Sequence, residues 1–168
     1  YGWSTGQPLA STLRNTAEAV MPALPEILAG VGVDKPRFVM GRSLGSGPAI
    51  YLAHKFPDDF AGLIVESGFA DMPSVMRRLG IPFDAASIAD LPMGNATRVQ
   101  AIHLPLLVIH GENDTLLPVE QGQQIYDASP AQHKPSLRIP GAGHNNLLFV
   151  GAQPYFDALR QFVTAAEA

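Results

Sequence analysis

The run GRSLGSGP at positions 41–48 constrains this chain most, because it places G-x-S-x-G between a β-prone run, 37–40, and helix-compatible sequence, 49–53. A serine at a sharp strand-to-helix turn adopts an uncommon backbone conformation with its hydroxyl exposed, and Gly41 and Gly45 are expected to leave room where a Cβ would clash. The helix would point its N-terminus at Ser43, so the amide of Leu44 can face developing negative charge. The pattern predicts a nucleophilic Ser43; the alternative is a glycine-rich turn with no chemical role.

A hydroxyl is a weak nucleophile, so a catalytic Ser43 requires a histidine base and an acid that orients the base. In this type of turn the three follow in the order serine, acid, histidine. The apolar run 106–109 is typical of a strand buried on both faces, and it leads into HGEND, which ends in Asp114. A second short strand, 137–139, leads into PGAGHNN, which contains His144. Because open α/β sheets collect their sites at the carboxyl ends of the strands, these side chains are predicted to meet.

Four motifs in this order, YGWSTG, GRSLGSG, LLVIHGENDTLLP and IPGAGHNN, resemble the α/β-hydrolase superfamily, and within it the serine hydrolases related to dienelactone hydrolases and small esterases. The resemblance implies an α/β fold with a mostly parallel sheet, helices on both faces and a small lid insertion. It makes Ser43 the nucleophile, Asp114 the acid and His144 the base. It also makes Leu44 the residue whose amide forms half of the oxyanion hole, and it implies no cofactor.

Other polar residues compete for these roles. Glu66 and Asp71 follow the predicted strand 62–66 and are the alternative acids, although the HGxxD setting favours Asp114. His110 is interpreted as a packed structural histidine. The remaining histidines, His54, His103 and His133, are expected at the surface.

The start of the chain departs from the resembled family. Tyr1–Gly6 resembles the loop after the family's fourth strand, so the chain is interpreted as an N-terminal truncation without the first strands or the loop that gives the second oxyanion donor. Such a chain is expected to be a weak enzyme by itself. It is also expected to self-associate through an exposed sheet edge at 37–40.

The rest of the chain alternates helix and strand patterns. An apolar stripe at helical spacing contains Pro22 and Pro25, which predict a break near Met21; its members are Leu13, Ala17, Val20, Leu24 and Ile27. Pro118 and Pro154 are each predicted to start a helix, the second with Tyr155, Phe156, Leu159, Phe162 and Val163 on one face. Residues 69–102 interrupt the alternation and are predicted to form the lid; its apolar side chains either contact the substrate or simply cover the core.

Composition agrees with one α/β domain over residues 1–168. The chain is 46% hydrophobic and 15% charged, which suits a compact protein. Its net charge of −4 gives no basic footprint for nucleic acid. No apolar run is long enough to predict a membrane span, and no cysteine or histidine cluster predicts a metal. A cytoplasmic location is favoured, without a signal that fixes it.

Two functions follow from this sequence. The first is a serine hydrolase that cleaves a small-molecule carboxylic ester or thioester through an acyl-serine intermediate. The second is a non-catalytic binding or scaffold protein of the same fold, which the expected absence of the oxyanion loop would favour.

Overall fold

The computed structural model describes residues 10–32, 37–80 and 94–166. The described strands are β1 (Phe38–Arg42), β2 (Gly62–Glu66), β3 (Leu106–Gly111) and β4 (Ser136–Ile139). They form a four-stranded sheet in the order β1-β2-β3-β4. All three neighbouring pairs are parallel, which confirms the predicted type of sheet. Within this sheet β1 is an edge strand that pairs with β2 alone.

Helices connect these strands. They are α1 (Ala10–Val20), α2 (Leu24–Gly30), α3 (Ser46–Lys55), α4 (Met72–Arg78), α5 (Asn95–Val99), α6 (Val119–Ala128) and α7 (Leu147–Ala166). The predicted break in the first helical stripe is present, because a short 3-10 turn at Met21–Ala23 separates α1 from α2. Helix α6 begins at Val119, one position after the predicted start at Pro118.

The apolar core lies on both faces of the sheet. Alternate residues of β2 point to opposite sides, so Leu63 and Val65 pack with α3, α5 and α6, while Ile64 packs toward α7. All residues of β2 and β3 are buried. Burial on both faces explains their continuous apolar sequence and confirms the predicted placement of helices on both sides.

The last helix begins earlier than predicted. Helix α7 starts at Leu147 and is interrupted at Gly151, whose backbone is non-helical at φ −138° and ψ 44°. A Cβ at Gly151 would lie 2.6 Å from Cγ2 of Ile139, so the chain needs glycine there to pass close to β4. Pro154 follows within one turn of the break, where a missing N–H removes no helical bond. Of the predicted apolar face, Tyr155 and Phe162 are buried, but Phe156 is 53% exposed.

Part of the predicted lid and the first motif lie outside the described residues. Residues 81–93 of the segment 69–102, and the run YGWSTG, belong to that part of the chain. In the described part of the segment, Phe69 and Val75 form a small apolar cluster with Leu117, and Met72 packs against it. The lid therefore stays a prediction. Among the described helices, none is sufficiently long and apolar to cross a bilayer.

Candidate active site

The chain turns sharply at Ser43, between β1 and α3. Ser43 has φ +51°, in the left-handed region that non-glycine residues seldom adopt, as the motif predicts. It begins a short 3-10 turn, Ser43–Gly45, and its carbonyl accepts a hydrogen bond of 2.7 Å from the hydroxyl of Ser46. The Ser43 side chain is half-buried. The turn holds the Ser43 hydroxyl at the carboxyl end of β1.

The two glycines that flank Ser43 differ in what they permit. A Cβ at Gly41 would lie 2.4 Å from the carbonyl oxygen of Gly45 and 2.6 Å from Cβ of Ala49, so Gly41 is required for the tight turn. A Cβ at Gly45 would meet nothing within 4 Å, and its φ of −65° suits any residue. The expected need for glycine is therefore right at position 41 and wrong at position 45, where only the backbone oxygen takes part in the crowding.

The structure brings the three predicted site residues into one hydrogen-bonded series. His144 Nε2 lies 2.9 Å from Oγ of Ser43, and His144 Nδ1 lies 2.7 Å from Oδ2 of Asp114. A carboxylate only accepts, so Nδ1 carries the proton and Nε2 is left as the acceptor for the serine hydroxyl. This tautomer is the one in which an imidazole can take a proton from Ser43.

Asp114 is fixed through its second oxygen. Oδ1 accepts hydrogen bonds from the backbone amides of Leu116 (3.0 Å) and Leu117 (2.8 Å). Its side chain is fully buried, with 0% exposed, and that of His144 is 8% exposed. A buried carboxylate with bonds to both oxygens has little freedom to rotate, so it fixes the plane of the imidazole.

His110 lies beside this carboxylate without replacing His144. Its Nε2 is 2.8 Å from the carbonyl oxygen of Leu117 and 3.4 Å from Oδ2 of Asp114, and the residue is 1% exposed. Burial is the main cause that lowers the pKa of His110, so the ring is neutral at pH 7 and donates from Nε2. Among the described residues, its Nδ1 has no hydrogen-bond partner. The interpretation of His110 as a structural histidine agrees with these contacts.

The alternative acids occupy other positions. Glu66 accepts hydrogen bonds from Arg42 and Tyr155, and Asp71 caps α4 by accepting a bond of 2.7 Å from the amide of Ser74. The imidazole of His144 has Asp114 as its carboxylate partner. The three remaining histidines, His54, His103 and His133, are exposed, as predicted.

Sequence reasoning missed Arg42 and Tyr155. Arg42 occupies the variable position before the serine, and its guanidinium bonds Glu66 on β2 and the loop that carries His144. Arg42 and Glu66 are direct partners in the parallel register of β1 and β2. Opposite charges just after the predicted run 37–40 and at the end of the predicted strand 62–66 were the available signal, although the sequence does not give the register that makes them face each other. Tyr155 gave no comparable signal, since its partner lies 89 residues away.

The chain is similar to two sets of known proteins, although no protein-family model matches it. It is 30% identical over 164 residues to the alpha/beta hydrolase domain-containing protein aho-3 of Caenorhabditis elegans, covering 97% of this chain and 46% of that protein. It is also 30% identical over 168 residues to an uncharacterized protein of Mycobacterium tuberculosis, covering 98% of this chain and 57% of that protein. The chain thus spans about half the length of the curated relatives it matches.

Solved structures share its fold at lower identity. A thermophilic esterase from Thermogutta terrifontis superposes with a TM-score of 0.69 at 19% identity, over 100% of this chain and 78% of that one. A monoacylglycerol lipase from Paleococcus ferrophilus superposes with a TM-score of 0.61 at 17% identity, over 88% of this chain and 75% of that one. At these identities the likeness is one of fold.

Proposed function

Because the chain belongs to the α/β-hydrolase superfamily, we propose that it is a serine hydrolase that cleaves a small-molecule carboxylic ester or thioester through an acyl-serine intermediate. One observation carries the proposal. Ser43, His144 and Asp114 form a continuous hydrogen-bonded series at the carboxyl ends of parallel strands. Nucleophile, base and orienting acid in this order are the parts that acyl transfer to a serine requires.

In the proposed acylation, Oγ of Ser43 attacks the substrate carbonyl carbon while His144 Nε2 takes the hydroxyl proton. The carbonyl π electrons move onto oxygen, and the amide of Leu44 is proposed to stabilise that oxyanion. When the intermediate collapses, the bond to the leaving alkoxide or thiolate breaks and His144 returns the proton to that group. Asp114 stabilises the imidazolium that exists between these two proton transfers.

Deacylation repeats the same steps with water. His144 takes a proton from a water molecule, the resulting hydroxide attacks the acyl carbon, and the bond to Oγ of Ser43 breaks. The proton held on His144 returns to Oγ, and the carboxylic acid leaves. A binding or scaffold protein of this fold has no need for a histidine that links serine and carboxylate, so hydrolysis is the function that these contacts favour.

A fluorophosphonate probe tests the proposal directly, because it reacts with an activated serine hydroxyl. The chain should be labelled on the peptide that contains Ser43, and Ser43→Ala should abolish both labelling and hydrolysis of p-nitrophenyl acetate. Ser136→Ala is the matched control, since Ser136 is exposed at the start of β4. Labelling that persists in Ser43→Ala, or that maps to Ser46, would contradict the assignment of Ser43 as the nucleophile.

A further inference from the structure

Arg42 connects three parts of the molecule at the carboxyl end of β1. Its Nε donates to Oε1 of Glu66 at 3.0 Å. Its Nη2 donates to the backbone carbonyl of His144 at 2.7 Å and to Oδ1 of Asn145 at 2.9 Å. Because Arg42 directly precedes Ser43 in the chain, the residue next to the proposed nucleophile holds the backbone of the proposed base.

The loop that carries His144 extends from β4 toward β1, across the described sheet. The strands β1 and β4 are at opposite ends of the described sheet, which places them about 14 Å apart at ordinary strand spacing. Backbone hydrogen bonds hold the start of the loop beside β3, from Glu112 to Ile139 (3.1 Å) and from Asn113 to Ala142 (2.8 Å). At His144 and Asn145, the bonds from Arg42 hold the loop from the side of β1.

Glu66 and Tyr155 fix the direction of the arginine. The Glu66 side chain is 8% exposed, whereas that of Arg42 is 46% exposed. The second carboxylate oxygen of Glu66, Oε2, accepts a hydrogen bond of 2.7 Å from the hydroxyl of Tyr155 on α7. Burial first, and then the bond to Glu66, raise the pKa of Tyr155, so the phenol stays a donor. A buried carboxylate with both oxygens bonded gives the guanidinium one preferred orientation.

From these contacts we infer that Arg42 is a positioning residue for the Ser43–His144 pair, with Glu66 as the anion that orients it. The inference rests on the proposed function. Arg42 acts through the carbonyl of His144. Loss of this bond therefore displaces the imidazole and changes the distance between Nε2 and Oγ of Ser43. A displacement of about 1 Å at reacting groups costs on the order of 100-fold in rate. Since the displaced group performs proton transfer, the loss belongs to kcat more than to KM.

Arg42→Gln and Arg37→Gln form a matched pair for the test. Both arginines pair with a carboxylate, but Arg37 lies at the opposite end of β1, 3.7 Å from Asp59. In the full chain with p-nitrophenyl acetate, Arg42→Gln should lower kcat by roughly 10- to 100-fold with KM changed by less than about twofold. Arg37→Gln should keep the wild-type kcat. If Arg42 contributes only to stability, Arg42→Gln would have a lower melting temperature and an unchanged kcat. That result would overturn the inference.

A second measurement reports on His144 without activity. The Nδ1 proton that His144 donates to Asp114 gives a downfield proton NMR signal, assigned by its loss in His144→Ala. This signal should broaden or shift in Arg42→Gln and stay in place in Arg37→Gln. An unchanged signal in Arg42→Gln would overturn the inference. If the probe fails to label wild-type Ser43, the proposed function fails, while this signal still tests whether Arg42 holds His144.

Two further variants keep the test sharp. Methylguanidinium should restore a measurable part of kcat to Arg42→Ala, and methylammonium should not, because only the guanidinium fork can bond Glu66 and the loop together. Restoration by neither cation would count against the positioning role. If Arg42→Gln does not fold, Arg42→Lys serves in its place, and it should also lose kcat because one ammonium group cannot reproduce both bonds.

Discussion

At the scale of single residues, the two oxygens of Asp114 have separate tasks. Oδ1 accepts the amides of Leu116 and Leu117, and Oδ2 accepts Nδ1–H of His144. The backbone amides can only donate, so any side chain at this position must place an acceptor toward them. This one-sided requirement decides what a conservative substitution does to His144.

Asp114→Asn should abolish most turnover while leaving the fold intact. The amide oxygen of asparagine will face the backbone donors, so its NH2 group will face Nδ1 of His144 and force the proton onto Nε2. An Nε2 that already carries a proton cannot take one from Ser43. We expect kcat to fall by as much as ~10⁴, the cost of the wrong tautomer in related chemistry. Steady-state kinetics and circular dichroism measure the two effects.

Asp58→Asn is the control for this substitution, because Asp58 is an exposed carboxylate near the far end of β2. It should retain wild-type kcat. Turnover of Asp114→Asn within about tenfold of wild type would show that another carboxylate orients His144. The contacts of Glu66 and Asp71 make either an unsuitable replacement.

The site residues differ in how far sequence could predict them. Ser43, Asp114 and His144 each belong to a local motif next to a recognisable strand. The sequence could therefore predict that the three side chains meet. The bonds of Arg42 depend on the register of β1 with β2 and on the path of a loop from β4. Register and loop path are tertiary properties, which a pattern read within one segment does not contain.

At the scale of elements, α6 contains a glycine that packing requires. Gly122 is buried inside this helix, and a Cβ there would lie 2.5 Å from Nδ1 of His110. His110 in turn is bonded to the carbonyl of Leu117. Helix α6 therefore packs directly against His110 of β3. The loop that follows Asp114 contacts the same histidine through Leu117.

Gly122→Ala should lower stability, against the usual benefit of alanine in a helix. Helix propensity alone would add about 1 kcal/mol to the free energy of unfolding. The clash with buried His110 will exceed this gain, because neither α6 nor the histidine can move without breaking core contacts. We expect a net loss of roughly 1–3 kcal/mol in urea unfolding.

Gly30→Ala provides the comparison within the same protein. Gly30 ends α2, and a Cβ there would meet nothing within 4 Å. It should leave the free energy of unfolding unchanged or slightly higher. An increase in stability in Gly122→Ala equal to that in Gly30→Ala would mean that His110 yields without cost, contrary to the packing described above.

The bounds of elements were predictable where a strand or helix has one dominant period. Strand β2 has the predicted bounds, Gly62–Glu66. Helix α7 shows the contrary case, because Pro154 looks like a start and yet the helix begins at Leu147. Two helical segments are joined by a kink at Gly151, where the backbone passes close to Ile139. Such a tertiary contact leaves no pattern in the local sequence.

At the scale of the whole molecule, β1 is the edge of the described sheet and carries an exposed Met40, at 42%. An unpaired strand edge with apolar side chains is a template for another chain. We therefore expect self-association of residues 1–168 through β1, seen as a concentration-dependent mass in light scattering after size exclusion. This expectation stands apart from the proposed chemistry.

Met40→Lys should shift that mass toward the monomer, since a lysine on an edge strand opposes pairing. Phe149→Lys is the control, because Phe149 is 92% exposed and belongs to α7, not to a strand edge. It should leave the association unchanged. A monomeric mass for the unaltered chain at every concentration would contradict a role for this edge.

In the described sheet, the four strands lie side by side in the same order as in the chain. During synthesis, β2, β3 and β4 can therefore each be added beside the strand before it, with no insertion between two of these four strands. Ser43 emerges 101 residues before His144, a delay of roughly 5 to 20 s at ordinary rates of synthesis. During that time the growing chain exposes a serine without its base. Under the proposed function, a chain whose synthesis stops before His144 lacks the base and does not hydrolyse the substrate.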